Sequence, residues 1–171
     1  MRRTVKKQRR RQGKTDYRAR IALLKSEKPR IVFRKTNRYI IGQIIESREA
    51  KDIVIAGVNS KQLLEYGWPE KNKGSLKSLP ACYLSGFLLG KKNIAKKEAV
   101  FDIGLLRNIP KSRAYAFLKG VVDFGISVNC SEEIFPNEAR IKGSHMKNDI
   151  SKIFDKVKEK IKTKQTKNST K

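Results

Sequence analysis

The order of elements read along the chain, β-β-β-α-β-α, predicts an α/β domain in which helices pack on a mixed sheet. Three observations carry this reading. Residues 30–35 and 39–46 are β-branched and aromatic runs on either side of the polar pair Thr36-Asn37, the pattern of a hairpin. Two later stretches, "SLPACYLSGFLLGKK" and "RAYAFLKGVVDFG", repeat their apolar residues at helical spacing. Between them stands "EAVFDIG", a short buried-strand pattern, so the chain crosses from a third strand to a fourth through a helix.

The elements follow in order. Residues 1–20 have no apolar periodicity and are expected to be mobile in isolation. A short helix starts with Thr15 or Asp16 as its cap and runs through "YRARIALLKS". In the first strand Ile31 and Phe33 fall on one face, and Arg30, Val32 and Arg34 on the other. The third strand, "KDIVIAGVN", follows a turn at residues 48–50; its apolar residues are consecutive, which predicts cover on both faces. Residues 60–66 are one or two helical turns stopped by Gly67, and "GWPEKNKGS" is loop.

Ser78 is the expected cap of the next helix, with Pro80 in its tolerant first turn. Leu79, Tyr83, Leu84, Phe87 and Leu88 form its buried stripe. Cys82, Gly86 and Gly90, four apart, predict that another side of this helix lies close on a sheet. "EAVFDIG" is read as a fourth buried strand. Ser112 caps the following helix, which turns Ala114, Phe117, Leu118 and Val121 to the core. Met146, Ile150, Ile153, Phe154, Val157 and Ile161 then recur at three and four, a last amphipathic helix docked on its own domain or on a neighbour. The organisation expected is a basic arm over 1–14, an α/β domain over 15–145, the amphipathic helix over 146–162, and a disordered basic tail over 163–171.

Charge narrows the function. The 171 residues carry 41 Lys and Arg against 16 Asp and Glu, a net charge of +25. Residues 1–20 hold ten bases and one acid, and residues 147–171 nine bases and three acids. A milder domain with two strongly basic ends is how a nucleic-acid binder distributes its charge. Solubility alone asks for a net charge of only about 2–8 on a small domain. The basic start is followed by no apolar stretch, so no signal peptide is read. The apolar runs "IVIAGV" and "GFLLG" are too short to cross a bilayer, so no membrane partner is expected. Cys82, expected in the core, and Cys130 have no metal-binding spacing, and a single His completes no site. The expectation is a reduced, cytoplasmic chain with no metal, cofactor or small-molecule substrate.

Catalysis finds no support. Asp102 in the fourth strand and Asp123 in the following helix would need further converging acids to hold two metals. Glu46, Asp52 and Glu65 show no recurring spacing, so Asp102 is read as structural, pairing with an Arg or accepting backbone bonds at a sheet end. "GKT" at residues 13–15 lacks the upstream glycine and the preceding strand of a phosphate loop. A metal-dependent nuclease on the same sheet and a general basic RNA binder stand as alternatives.

Two segments are suited to RNA. With Asp16 capping its helix, Lys14 and Thr15 approach a phosphate backbone, Arg18 leaves on one side, and Tyr17 is free to stack. In the hairpin "RKTNRY", Arg34, Lys35 and Arg38 bracket Thr36 and Asn37, which suits a shallow RNA minor groove.

The words "RRRQGKTDYRAR", "PRIVFRKTNRYIIGQI", "SLPACYLSGFLLGKK", "FDIGL", "RAYAFLKGVVDFGI" and "EEIFPNEARIKGSHM", in this order over about residues 9–146, resemble a known family. It is the archaeal and eukaryotic branch of the large-subunit ribosomal proteins that bind 5S rRNA, called L-eighteen in bacteria and archaea and L-five in eukaryotes. The resemblance implies a non-catalytic domain with a ribonuclease-H-like sheet, of the translational-machinery-component type. It implies contacts to 5S rRNA from Lys14, Thr15, Tyr17, Arg34, Thr36, Asn37 and Arg38. It implies contacts to the large rRNA from Arg2, Arg3, Lys6, Lys7, Arg9, Arg10 and Arg11. Its members sit in the central protuberance beside another 5S-binding ribosomal protein. Many relatives place Pro-His after the second large helix, where this chain has Asn129 and Cys130 in "SVNCSEE", so no His contact is carried over there. The motifs give the Lys-rich C-terminal tail no partner.

Overall fold

The computed structural model describes residues 5–48, 51–70, 76–92, 98–146 and 150–163. Arg2, Arg3, the second half of the 48–50 turn, part of the loop after Gly67, and the tail beyond residue 163 lie outside the described residues.

The sheet has five strands: β1 (Arg30–Lys35), β2 (Ile40–Arg48), β3 (Lys51–Asn59), β4 (Glu98–Asp102) and β5 (Ser127–Val128), in the order β3-β2-β1-β4-β5. β1–β2 and β2–β3 are antiparallel, while β1–β4 and β4–β5 are parallel. The sheet is therefore mixed, as the sequence predicts. β5 was not expected: two residues, Ser127 and Val128, opposite Glu98 and Ala99, carry no periodicity to read. The helices are α1 (Gln8–Arg11), α2 (Tyr17–Leu24), α3 (Leu79–Lys92), α4 (Arg113–Phe124), α5 (Glu138–Lys142) and α6 (Ile150–Thr163). Ser60–Tyr66 form a 3-10 helix that ends, as predicted, at Gly67 in the left-handed region, φ +97°.

Four expectations need correction. β3 is an edge strand, and Ile53, Val54 and Ile55 are 50%, 51% and 41% exposed, so its apolar run is covered on neither side as a whole. Only Ala56 and Val58 of β3 reach the core, because a continuous apolar run does not say whether a neighbour exists to cover it. α3 has no single buried stripe: every residue from Pro80 to Gly90 is buried, since sheet, α4, α5 and α6 all pack around it. Its glycines face α4 and not the sheet. A Cβ on Gly86 would meet the Phe117 carbonyl oxygen at 2.0 Å, and one on Gly120 of α4 would meet the Tyr83 carbonyl oxygen at 2.1 Å. Small residues on both helices bring the two backbones together. β4 is only partly covered; Ala99 and Asp102 are its buried residues.

Ser112 occupies the cap position of α4, yet its hydroxyl makes no cap hydrogen bond. Ala114, Phe117, Leu118 and Val121 are buried as expected. α6 docks on the chain's own core through Ile150, Phe154, Val157 and Ile161. The Phe154 and Tyr83 rings lie 5.4 Å apart, and Lys158 Nζ donates to the Tyr83 hydroxyl at 2.8 Å. That hydroxyl donates to Asp123 Oδ2 at 2.7 Å, and burial together with this bond pushes the Tyr83 phenol up. Lys91 closes the far end of α6 by donating to the carbonyls of Ile161 and Lys162, cations being favourable at a helix C-terminus.

The α3–α4 contact makes the first prediction. Gly120→Ala drives a methyl group against the Tyr83 carbonyl and is expected to destabilise the fold by about 1–3 kcal/mol. Gly57→Ala meets only Gln43 Cγ, at 3.9 Å, and serves as the neutral control in urea unfolding.

Candidate nucleic-acid interface

Asp16 is the cap that organises the arm. Its Oδ1 accepts from the backbone N–H groups of Arg18 at 2.9 Å and Ala19 at 3.3 Å, which fixes the start of α2. Thr15 does not cap; its hydroxyl accepts from Arg9 Nε at 2.9 Å and ties α1 to the start of α2. Lys7 Nζ lies 4.6 Å from the centre of the Tyr17 ring, so one face of that ring is already taken by a cation. Lys6, Arg10, Arg11 and Arg18 are exposed. α2 buries none of its residues, so packing contributes little to holding it in place.

At the hairpin, Thr36 is occupied in shaping the turn. Its hydroxyl donates to the Tyr39 carbonyl at 2.8 Å and accepts from the Tyr39 N–H at 2.9 Å. The Asn37 carbonyl accepts from Lys77 Nζ at 2.9 Å, which ties the turn to the start of α3. Lys35, Asn37 and Arg38 are exposed.

Arg34 is less free than its place in the hairpin implies. Its guanidinium donates to the carbonyls of Phe33 at 2.8 Å and Asp102 at 3.1 Å, and to Asp102 Oδ1 at 3.3 Å, while its side chain stays 45% exposed. Gly104, at φ +65°, leaves room for it, since a Cβ there would come within 2.8 Å of the guanidinium. Arm and hairpin meet in one cleft of about 690 Å³, walled by Arg9, Lys14, Thr15 and Arg20 on one side and Arg34, Lys35 and Asp102 on the other. Tyr17, Arg18 and Arg38 lie outside its walls.

Sequence reasoning placed Arg30 on a strand face but missed that it is the buried hub beneath this cleft. Its guanidinium donates to Asp102 Oδ2 at 3.2 Å, Asp52 Oδ1 at 2.9 Å and Ser47 Oγ at 3.1 Å. Asp52 also receives Arg20 of α2 at 2.7 Å. The available signal was an Arg placed directly before the apolar run Ile31, Val32 and Phe33 in β1.

These contacts bear on catalysis. Asp102 Oδ1 takes Arg34 and the Gly104 N–H, and Oδ2 takes Arg30. Asp123 takes Tyr83 and Lys119. Among the described residues no three His, Cys, Asp or Glu are placed to hold a metal ion. No described helix is long and apolar enough to cross a membrane. Cys82 is buried and Cys130 half-buried, both as free thiols raised by burial.

The network predicts its own pH and charge dependence. Burial works against ionisation of Asp52, but the bonds from Ser47, Arg20 and Arg30 outweigh it and hold the carboxyl at about 2. A carboxyl lowered on folding stabilises above its unfolded value of about 4, and that stability is lost as pH falls through its folded value. The stability gap between the native chain and Asp52→Asn should be full above about pH 4 and close as pH falls from there to about 2. Urea midpoints measured across that range check it. Asp102→Asn leaves two guanidinium groups short of a carboxylate and should cost about 3 kcal/mol at neutral pH in the same assay.

With the geometry in place, the relatives can be named. Residues 1–100 match the family model described as "Ribosomal large subunit proteins 60S L5, and 50S L18". The chain is 50% identical over 151 residues to the large ribosomal subunit protein uL18 of Korarchaeum cryptofilum, an alignment covering 87% of this chain and 75% of that one. It is 42% identical over 159 residues to uL18 of Methanothrix thermoacetophila, covering 90% of this chain and 92% of the relative. To uL18 of Methanoculleus marisnigri it is 45% identical over 140 residues, covering 81% and 78%. A basic α/β domain matched at this level over most of its length, the chain belongs to the family of large-subunit ribosomal proteins that takes in 60S L5 and 50S L18.

Proposed function

We propose that this member of a large-subunit ribosomal protein family binds 5S rRNA and anchors it to the large rRNA in the central protuberance, beside a second 5S-binding protein. The observation that carries the reading is the cleft shared by arm and hairpin. Arg9 and Lys14 face Arg34 and Lys35 across it, four cations from segments far apart in sequence. Part of its wall comes from the two segments that the sequence singles out for RNA, and the rest from α2 and from β4 with the loop after it. Lys and Arg gathered in this way release condensed counterions when they meet phosphates. α2 buries no residue of its own, so a partner lying against arm and hairpin together supplies the contact it lacks. Lys6, Lys7, Arg10 and Arg11, with Arg2 and Arg3 beyond the described residues, extend the charge toward a second RNA segment.

The role is structural. The acids that a nuclease would need are occupied by guanidinium, ammonium, hydroxyl and backbone N–H groups. The same cleft fits a general RNA binder, and specificity separates the two.

Labelled 5S rRNA titrated with the purified chain, against a tRNA competitor at two salt concentrations, tests the proposal. Preference for 5S rRNA by orders of magnitude at the higher salt is expected, with a log–log salt slope of up to about eight. Lys14→Ala and Arg38→Ala should each weaken binding and lower that slope by about one. Equal competition by tRNA would reduce the protein to a general RNA binder.

A further inference from the structure

We propose a second RNA-phosphate site in the cleft between the N-termini of α3 and α4, continuous with the first through Lys35. The inference rests on the reading of the chain as an rRNA-binding protein, and it adds a surface that arm and hairpin do not include. The cleft, of about 730 Å³, lies beyond the C-terminal end of β1. Lys35 lines both clefts, so the two join at that side chain.

Four further cations converge here: Arg107 and Lys111 from the loop after β4, Arg113 from the first turn of α4, and Arg140 from α5. All are exposed, and among the described residues none of them forms an ion pair. Like charges this close repel one another, and an anion between them removes that repulsion. The loop that carries two of them is fixed before any ligand arrives. Lys111 N–H donates to the Ile134 carbonyl at 2.8 Å, and the Tyr115 hydroxyl donates to Asn108 Oδ1.

A second observation points to a missing acceptor or donor. The Ser78 hydroxyl oxygen, at the start of α3, is shut off from bulk solvent and has no hydrogen-bond partner among the described residues. Ser78 is a wall of this cleft, and Ser112 at the start of α4, another wall, leaves its cap bond unmade. Two helices of 14 and 12 residues therefore begin at the same opening without a cap bond from either serine, where the dipoles and first N–H groups favour an anion. The exposed apolar side chain of Ile109 forms part of the wall. Cations beside an apolar surface match a phosphate that carries a sugar and base, and this favours a polynucleotide over free inorganic phosphate.

The test uses the full chain carrying Arg107→Ala, Lys111→Ala and Arg113→Ala together. All three side chains are exposed, so thermal unfolding should be unchanged. Affinity for 5S rRNA is expected to fall by about tenfold or more, with the salt slope reduced by about two to three. Hydroxyl-radical footprinting should show a patch of RNA that this variant releases and an Arg38→Ala variant keeps. An affinity, slope and footprint equal to the native chain's would overturn the proposal and leave the cleft to an acidic protein partner. Failure of the 5S reading looks different: tRNA then competes equally with 5S rRNA for the native chain, while the slope difference between native and triple variant still decides the cleft. Inorganic phosphate titrated as the competing anion separates the two sources of the ligand. Displacement of the footprint at concentrations that leave ionic strength effectively unchanged would show that the cleft takes free phosphate, against the proposal.

Discussion

One buried guanidinium sets the conditions for the rest of the fold. The Arg30 side chain is 3% exposed, in the middle strand of the sheet, and a charge there costs several kcal/mol unless it is paired. Its partners come from three other strands: Ser47 of β2, Asp52 of β3 and Asp102 of β4. Four strands must therefore stand in register before the charge is satisfied. Two carboxylates around one guanidinium carry an excess negative charge, and that excess draws in Arg20 from α2 and Arg34 from the hairpin. The helix α2, which buries none of its residues, and the guanidinium at the end of β1 are held to the sheet by what is left over from solving the problem of Arg30. The solution is incomplete, since Arg30 Nε has no partner among the described residues.

The other half of the molecule is held by backbone contact. α3 and α4 approach so closely that a methyl group fits at neither Gly86 nor Gly120. α6 then packs on α3, α5 and the 3-10 helix through apolar residues, and its polar contacts fall at its edges, where Lys158 meets the Tyr83–Asp123 pair and Lys91 closes the last turn. A chain with a net charge of +25 thus places Lys beside aromatic rings and helix carbonyls, where a cation is favourable without an acid.

What the sequence revealed depends on whether the information was local. The hairpin, α3, α4 and α6 were legible because each repeats its apolar residues at its own period. The cover on β3 was not, because Ile53–Ile55 look the same whether or not a further strand lies beside them. The glycines of α3 announced a close approach but not by what. β5 is too short to have a pattern, and Arg30 gave only its face. At the candidate interface, charge density marked the arm and motif marked the hairpin, while their meeting in one cleft is a property of the fold. The role of Thr36 within the turn, its hydroxyl bonded twice to Tyr39, was likewise not legible from the motif. Arg107, Lys111 and Arg113 are neighbours in sequence but went unread because only the fold brings Arg140 of α5 and Lys35 of β1 to the same cleft.

The distribution of paired and unpaired charge follows from the same economy. Asp52, Asp102 and Asp123 are bound into the sheet and the helix layer, so folding takes these acids out of play as counterions for the surface. One group of exposed cations lies beyond the C-terminal end of β1, where the antiparallel hairpin turns back and the parallel partner β4 runs into the loop before α4. Two clefts open there because the polypeptide leaves the sheet in two directions. Lys35 stands between them, one residue past Arg34 at the end of the same strand. On the function proposed above, a polyanion lying across that end would neutralise these cations and cover α2, which buries none of its own residues. In this geometry the acids stabilise the sheet, while Lys35, Arg107, Lys111 and Arg113 stay exposed at its open end.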